Sequence, residues 1–190
     1  ATIGYDSRGL PLTITDPNGN VTTNAYDAAG NLLQVTDALG NVTAYTYDAV
    51  GRRLTETDAL GRVTSYSYDA NDNLLSVTDA LGNSVTHTFD ANDNKTSTTD
   101  RLGRTTTWGY DEKDLLVSET DALGNAVTYT YDALDRRLSR TDRRGHTTTY
   151  AYDAVGNRIQ STDPLGHVTG YTYDLNGNRL SRTNARGHTT

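Results

Sequence analysis

"YDAVGRRLTETDALGRVTSYS" occupies residues 47–67, and at Tyr68 almost the same phrase begins again. It holds two similar tetrads, Asp48-Ala49-Val50-Gly51 and Asp58-Ala59-Leu60-Gly61. Aspartate first and glycine fourth are the preferences of a type I turn followed by a left-handed residue that lets a hairpin close. The Asp side chain can also accept a hydrogen bond from the backbone N–H two residues on. Between the tetrads lie runs of six or seven residues. "NVTAYTY" (41–47) alternates in type, with Thr43, Tyr45 and Tyr47 on one side and Val42, Ala44 and Thr46 on the other, as a strand requires. "NLLQVT" (31–36) is likewise rich in strand formers. The reading is strand, turn, strand, turn.

Outward from this stretch the register never slips. Tyr-Asp recurs at Tyr5, Tyr26-Asp27, Tyr47-Asp48, Tyr68-Asp69, Tyr110-Asp111, Tyr131-Asp132, Tyr152-Asp153 and Tyr173, with Phe89-Asp90 in the remaining slot. A second beat, most often Thr-Asp, leads three residues later to Gly19, Gly40, Gly61, Gly82, Gly103, Gly124, Gly145, Gly166 and Gly187. Nine units of 21 residues account for all but one of the 190 residues, which gives about 18 strands. Pro17 and Pro164 stand second in their turns, where a fixed φ fits. Asp72, Asp93, Asp114 and Asp135 stand where the first turn otherwise has Gly. Glycine-bearing turns every 10 or 11 residues, with no 3.6-residue period, argue against helices.

Composition sets further bounds. Only 34% of the residues are hydrophobic, yet there are 13 Tyr, so order must come from something other than a deep aliphatic core. A unit offers two aromatic positions, one strand leucine and one turn leucine (Leu39, Leu60, Leu81, Leu102, Leu123, Leu165). Even with all of these buried, a single 21-residue unit cannot offset its ordering entropy and must lean on its neighbours. An open twisted sheet of so many strands is expected to coil into a wall around a space. The net charge of −7 argues against a nucleic-acid partner. No run of 18 apolar residues marks a membrane span, and no basic start followed by an apolar run marks a secretion leader. Cysteine is absent, which excludes thiolate metal sites and disulfides.

The candidate chemistry reduces to turn chemistry. Asp48 and Asp58 resemble a carboxylate pair, but the pair recurs in unit after unit, whereas catalysis needs one special environment. "DANDN" at 69–73 and 90–94 has the opening of a calcium loop without Gly at the sixth position or Glu at the twelfth. His146, His167 and His188 share one slot after the turn Gly, about 10 Å apart and too far to share a metal; with His87 they read as surface residues. No phosphate loop or nucleophile elbow is present. The sequence implies no catalytic residues, no cofactor and no metal.

The pattern Tyr-Asp-Ala-x-Gly-Asn/Arg-x-Leu-x-x-Thr-Asp-x-x-Gly resembles the YD repeat of the Rhs type, found in bacterial Rhs and wall-associated proteins, the shells of insecticidal toxin complexes, and teneurins. The resemblance covers all nine units. It implies an all-β fold: nine β-hairpin repeats forming one continuous antiparallel sheet coiled into a shell or tube wall. Residues 1–190 are then a single array, read as a piece of a longer chain or a unit that assembles end to end. The Tyr-Asp pairs and the second-turn glycines named above are its structural repeat residues. The implied role is a non-enzymatic scaffold, secreted or displayed by a bacterium, around an enclosed toxin domain. An extracellular filament joined through open strand edges, or an adhesion module binding a cell-surface glycan, are the alternatives. The expected partners are flanking repeats or further copies. The self-cleavage segment of the bacterial shells, Asp-Pro-x-Gly-Leu, is departed from: Asn20 and His167 stand where it has Leu, so cleavage is not implied.

Overall fold

A computed structural model describes residues 1–190, and it contains eighteen strands and no helix. The chain divides into two compact units: Ala1–Thr88 with Thr99–Gly103, and Phe89–Thr98 with Arg104–Thr190. The first is built from β1 (Thr2–Tyr5), β2 (Pro11–Thr15), β3 (Val21–Tyr26), β4 (Leu32–Thr36), β5 (Val42–Tyr47), β6 (Arg53–Thr57), β7 (Val63–Tyr68), β8 (Leu74–Thr78) and β9 (Ser84–Phe89). The second is built from β10 (Lys95–Thr99), β11 (Thr105–Tyr110), β12 (Leu116–Thr120), β13 (Ala126–Tyr131), β14 (Arg137–Thr141), β15 (Thr147–Tyr152), β16 (Arg158–Thr162), β17 (Val168–Tyr173) and β18 (Arg179–Thr183). From β1 to β9, and again from β11 to β18, each strand pairs antiparallel with the next in sequence. No helix is long and apolar enough to cross a membrane.

The two turns of a repeat make two kinds of hairpin. Across the Tyr-Asp turn the register slips by one. Thr46 faces Thr55, but Tyr47 faces Arg53, so Leu54 is the extra residue of a β-bulge. The same slip falls at Tyr26, Tyr68, Tyr110, Tyr131, Tyr152 and Tyr173. Across the Thr-Asp turn the ladder is regular: Thr55 faces Ser65, and Thr57 faces Val63. A bulge adds local right-handed twist, so a twist increment recurs once per repeat.

The core is thinner than the composition predicts. Val127, 5% exposed, is the only buried hydrophobic side chain. The strand leucines Leu12, Leu33, Leu54 and Leu138 are only partly covered. The turn leucines, expected to contribute apolar burial, do not: Leu39, Leu60, Leu81, Leu102, Leu123 and Leu165 are 76–89% exposed. The third position of a type I turn projects away from both strands, so a side chain there has no neighbouring strand to cover it. Polar and stacking contacts between repeats must therefore do the work assigned to apolar area.

Candidate functional site

Each turn is closed by its own first residue, an aspartate in every case but the last, where Asn184 takes the place. At Asp48 the backbone N–H bonds the Arg52 carbonyl (3.0 Å), and the Gly51 N–H bonds the Asp48 carbonyl (3.1 Å). The Asp48 Oδ1 accepts the N–H of Val50 (3.0 Å) and of Arg52 (2.9 Å), while its Oδ2 accepts the Arg52 Nε (2.6 Å). Asp58 repeats this with Leu60 and Arg62. Where the residue after the glycine is Asn, its amide fills the same place, as Asn41 does on Asp37 at 2.7 Å. The bond two residues on is the one the turn chemistry anticipates. The two bonds from the fourth residue are not, although the Asn or Arg that follows most of the turn glycines is their sequence signal. These donors hold the carboxylates below the usual Asp range. At Asp37 the largest cause is the Asn41 side-chain bond, and at Asp48 it is the Arg52 backbone bond.

Tyr26, Tyr47, Tyr68, Tyr110, Tyr131 and Tyr152 each end a strand, and Asp27, Asp48, Asp69, Asp111, Asp132 and Asp153 open the turn that follows. Gly40, Gly61, Gly82, Gly103, Gly124, Gly145 and Gly166 stand fourth in the other turn with φ between 75° and 84°, a region that penalises any Cβ. The tyrosine is more than a packing ring. Its hydroxyl donates to a carbonyl fifteen residues back, in the preceding repeat: Tyr47 to Leu32 (2.9 Å), Tyr68 to Arg53 (3.1 Å), Tyr131 to Leu116 (2.8 Å) and Tyr152 to Arg137 (2.9 Å). The acceptor is in each case the residue that faces the earlier tyrosine at the bulge. Bulge and tyrosine thus form one device, a repeat exposing a carbonyl that the next repeat binds wherever that slot holds tyrosine; Phe89, without a hydroxyl, is the exception. Burial pushes the Tyr47, Tyr110 and Tyr131 phenols above their ordinary pKa.

Turns are also tied to turns. Arg52 Nη1 bonds the Asp69 carbonyl and the Asp72 carboxylate, each at 2.7 Å, and Lys113 Nζ reaches the Asp135 carboxylate at 2.7 Å. Asn92 and Asn94 both donate to Asp114. Asp72, Asp93, Asp114 and Asp135 all have positive φ, between 62° and 71°. Left-handed aspartate carries a steric cost that glycine does not. At Asp114 and Asp135 the side chain holds a partner from the preceding repeat, which offsets part of that cost. The Lys113–Asp135 pair is about half exposed at both ends, so it offsets little. Asp135→Gly should therefore raise stability by up to about 1 kcal/mol, read as a shift in the urea midpoint. A loss of stability would mean that the tie outweighs the strain.

The second aromatic position faces a different partner. Arg53 lies over the rings of Tyr45 (5.8 Å) and Tyr66 (4.6 Å). Arg137 lies over Tyr129 (5.7 Å) and Tyr150 (5.3 Å), and Arg158 over Tyr150 (5.5 Å) and Tyr171 (5.1 Å). Rings of successive repeats are interleaved with guanidinium groups rather than packed on one another, and each contact is a cation–π attraction. In the first repeat Asn24 takes the aromatic slot and donates to the Pro11 carbonyl at 2.9 Å.

None of these side chains converges on a reacting centre. His167 Nδ1 meets Asp163 at 2.9 Å and His146 Nδ1 meets Asp142 at 3.4 Å, both inside exposed turns. No group of three or more metal-capable side chains gathers anywhere. At the two "DANDN" stretches, Asp69 and Asp90 each spend Oδ1 on two backbone N–H groups of their own turn.

The class so defined is a β-hairpin repeat array, stabilised by bonds from each repeat to the next. The chain belongs to the RHS repeat family: the RHS Repeat model matches residues 5–37, 26–63, 47–84, 68–105, 89–125, 110–147, 131–168 and 152–189. No curated protein matches the chain. Among solved structures it is similar to TcdB2-TccC3 without its hypervariable C-terminal region, at 17% identity and a TM-score of 0.46, over 96% of this chain and 15% of that one. It is similar to the Photorhabdus luminescens Tc holotoxin pore at 18% identity and a TM-score of 0.44, again over 96% and 15%. A porin-like protein from Bacteroides uniformis aligns at 16% identity and a TM-score of 0.34, over 90% of this chain and 86% of that one. The chain thus spans 15% of the length of the first two.

Proposed function

We propose that this chain is wall material: a non-enzymatic stretch of a YD-repeat array whose hairpins coil into a hollow bacterial shell, secreted or displayed at the cell surface, around an enclosed toxin domain. The observation that carries this reading is the recurrence of one inter-repeat bond, the tyrosine hydroxyl on the preceding bulge carbonyl, at a spacing of 21 residues. Such a bond adds rigidity with every repeat and performs no chemistry. Family membership supports the scaffold; the cargo and location follow from what the resemblance implies. A second structural reading, an extracellular filament, is favoured by how alike the units are. The adhesion reading is weaker, because guanidinium groups occupy ring faces that a sugar would need. Electron microscopy of the full-length protein that carries these repeats separates the readings: hollow closed particles support the shell, long threads the filament, and isolated globules neither.

A further inference from the structure

Grooves recur between successive Thr-Asp turns, so one copy serves as the reference for another. In the first compact unit such a groove is lined by Glu56, Asp58, Arg62, Asp79, Ala80 and Leu81, one arginine against three carboxylates. Three repeats on, within the second compact unit, Glu119 and Asp142 stand where Glu56 and Asp79 stand. The rest of the wall differs. Arg143 and Arg144 replace Ala80 and Leu81, and Arg140 occupies the slot of Val77. Here three arginines meet two carboxylates. Ala-Leu is the usual content of the two turn positions, as at Ala38-Leu39, Ala59-Leu60 and Ala122-Leu123, and Arg143-Arg144 is the one Thr-Asp turn with arginine at both. In a chain that repeats its slots so closely, three departures converge on one groove.

Both carboxylates of this groove are already engaged. Glu119 Oε1 accepts Arg143 Nη2 at 2.9 Å, and Arg143 Nε also lies 3.7 Å from Asp121. Asp142 Oδ1 accepts the backbone N–H of Arg144 (2.8 Å) and of His146 (2.9 Å), and its Oδ2 meets His146 Nδ1 at 3.4 Å. Arg140 and Arg144 are exposed, and neither guanidinium has a hydrogen bond or an ion pair. The groove also has an apolar floor. Val127 and Tyr129 lie two apart on β13 and share a face, which Arg140 joins by facing Tyr129. Val127 takes the place of Thr64 and is the one buried hydrophobic side chain of the chain. The groove holds about 330 Å³, the small end of the range for ligand sites.

We propose that this groove binds a small dicarboxylic acid, with one carboxylate on Arg140, the other on Arg144, and a short aromatic or aliphatic body over Val127 beside the Tyr129 ring. The planar guanidinium fork matches a carboxylate with two parallel N–H bonds. Arg140 belongs to β14 and Arg144 to the turn after it, so an acid group for each suits them better than one shared between them. Inorganic phosphate answers the charge but leaves the apolar floor uncovered. The site adds binding to a scaffold, involves no chemical step, and stands equally in a shell or a filament.

NMR of the 190-residue chain, following methyl and arginine Nε–H signals during titration with isophthalate or glutarate, tests this directly. The Val127 methyls and the Arg140 and Arg144 Nε–H signals should shift together and saturate at a single affinity. Benzoate, with one acid group, should bind at least tenfold more weakly than isophthalate, and isophthalamide, with none, should leave the signals in place. Raising NaCl from about 0.05 to about 0.5 M should weaken isophthalate at least tenfold as the charges are screened. R140V and R144L restore the residues that the same slots hold three repeats earlier, Val77 and Leu81, so each should keep the fold and lose at least tenfold in affinity. The amide spectrum checks the fold, and R140Q/R144Q serves if the apolar replacements disturb it. A titration without shifts, equal binding of inorganic phosphate, shifts that spare Val127, or binding that survives in R140V/R144L overturns the proposal.

Discussion

On lowering the pH through the carboxylate range, the whole array should lose stability together, as a steep fall in melting temperature below about pH 4. The turn aspartates are the cause. Asp16, Asp27, Asp37, Asp58, Asp121, Asp153 and Asp174 are all held below the ordinary value, chiefly by the residue four positions on: its side-chain amide at six of them, its backbone N–H at Asp58. A carboxyl whose folded pKa is depressed contributes stability above its unfolded pKa, near 3.9, and loses it as the pH falls through the lower folded value. Protonation puts a hydrogen on an oxygen that now only accepts, and the clamp loses a bond at the turn. Each turn contributes modestly because it is exposed. The loss is large because the same clamp sits in turn after turn and every one of these carboxylates is shifted in the same direction. Melting curves followed by circular dichroism between pH 7 and pH 2.5 measure it. A melting temperature flat across that range would show that the turns are held by glycine geometry alone. Asp37→Asn, which keeps one acceptor oxygen without the charge, should lose a small part of the stability at pH 7 and be less sensitive to acid.

The fold is legible to this degree because the array repeats its punctuation. The Asp and Gly of each tetrad fix a turn, two turns fix the strand between them, and nine copies leave no ambiguity about where each strand begins and ends. Asp72 and Asp135 are readable for the same reason: they fall in a slot whose backbone demands a positive φ, and the structure gives them one. What the pattern does not disclose is the use of each side chain. Tyr47 looks like a ring for packing until the bulge opposite Arg53 and Leu54 is seen, because a one-residue slip leaves no trace in an alternating sequence. Leu60 looks like a core residue by type, yet its turn position points it outward. The arginine interleaving of Tyr129, Tyr150 and Tyr171 depends on which strand lies beside which, and only the register supplies that.

That register makes the tyrosine the place where a single change should cost most. Tyr131→Ala is expected to lower stability by about 2–3 kcal/mol, from a half-buried ring and a hydrogen bond removed together. Tyr131→Phe isolates the bond: the ring stays, and the Leu116 carbonyl loses the hydroxyl that stood 2.8 Å away. That variant should cost about 1 kcal/mol. The difference between the two is then the ring's own share, smaller than for a tyrosine in a closed core because this one still meets solvent on one side. Alkaline titration supplies an independent reading. Burial raises the Tyr131 phenol, so the neutral form is favoured in the folded chain; its stability is full below the unfolded pKa near 10 and falls as the pH rises through the folded value. Urea melts of the wild type and Tyr131→Phe at neutral pH and near pH 11 should therefore converge as the pH rises. If Tyr131→Phe matched the wild type at every pH, the hydroxyl would be idle, and the bond from each repeat to the next could not be what holds the array together.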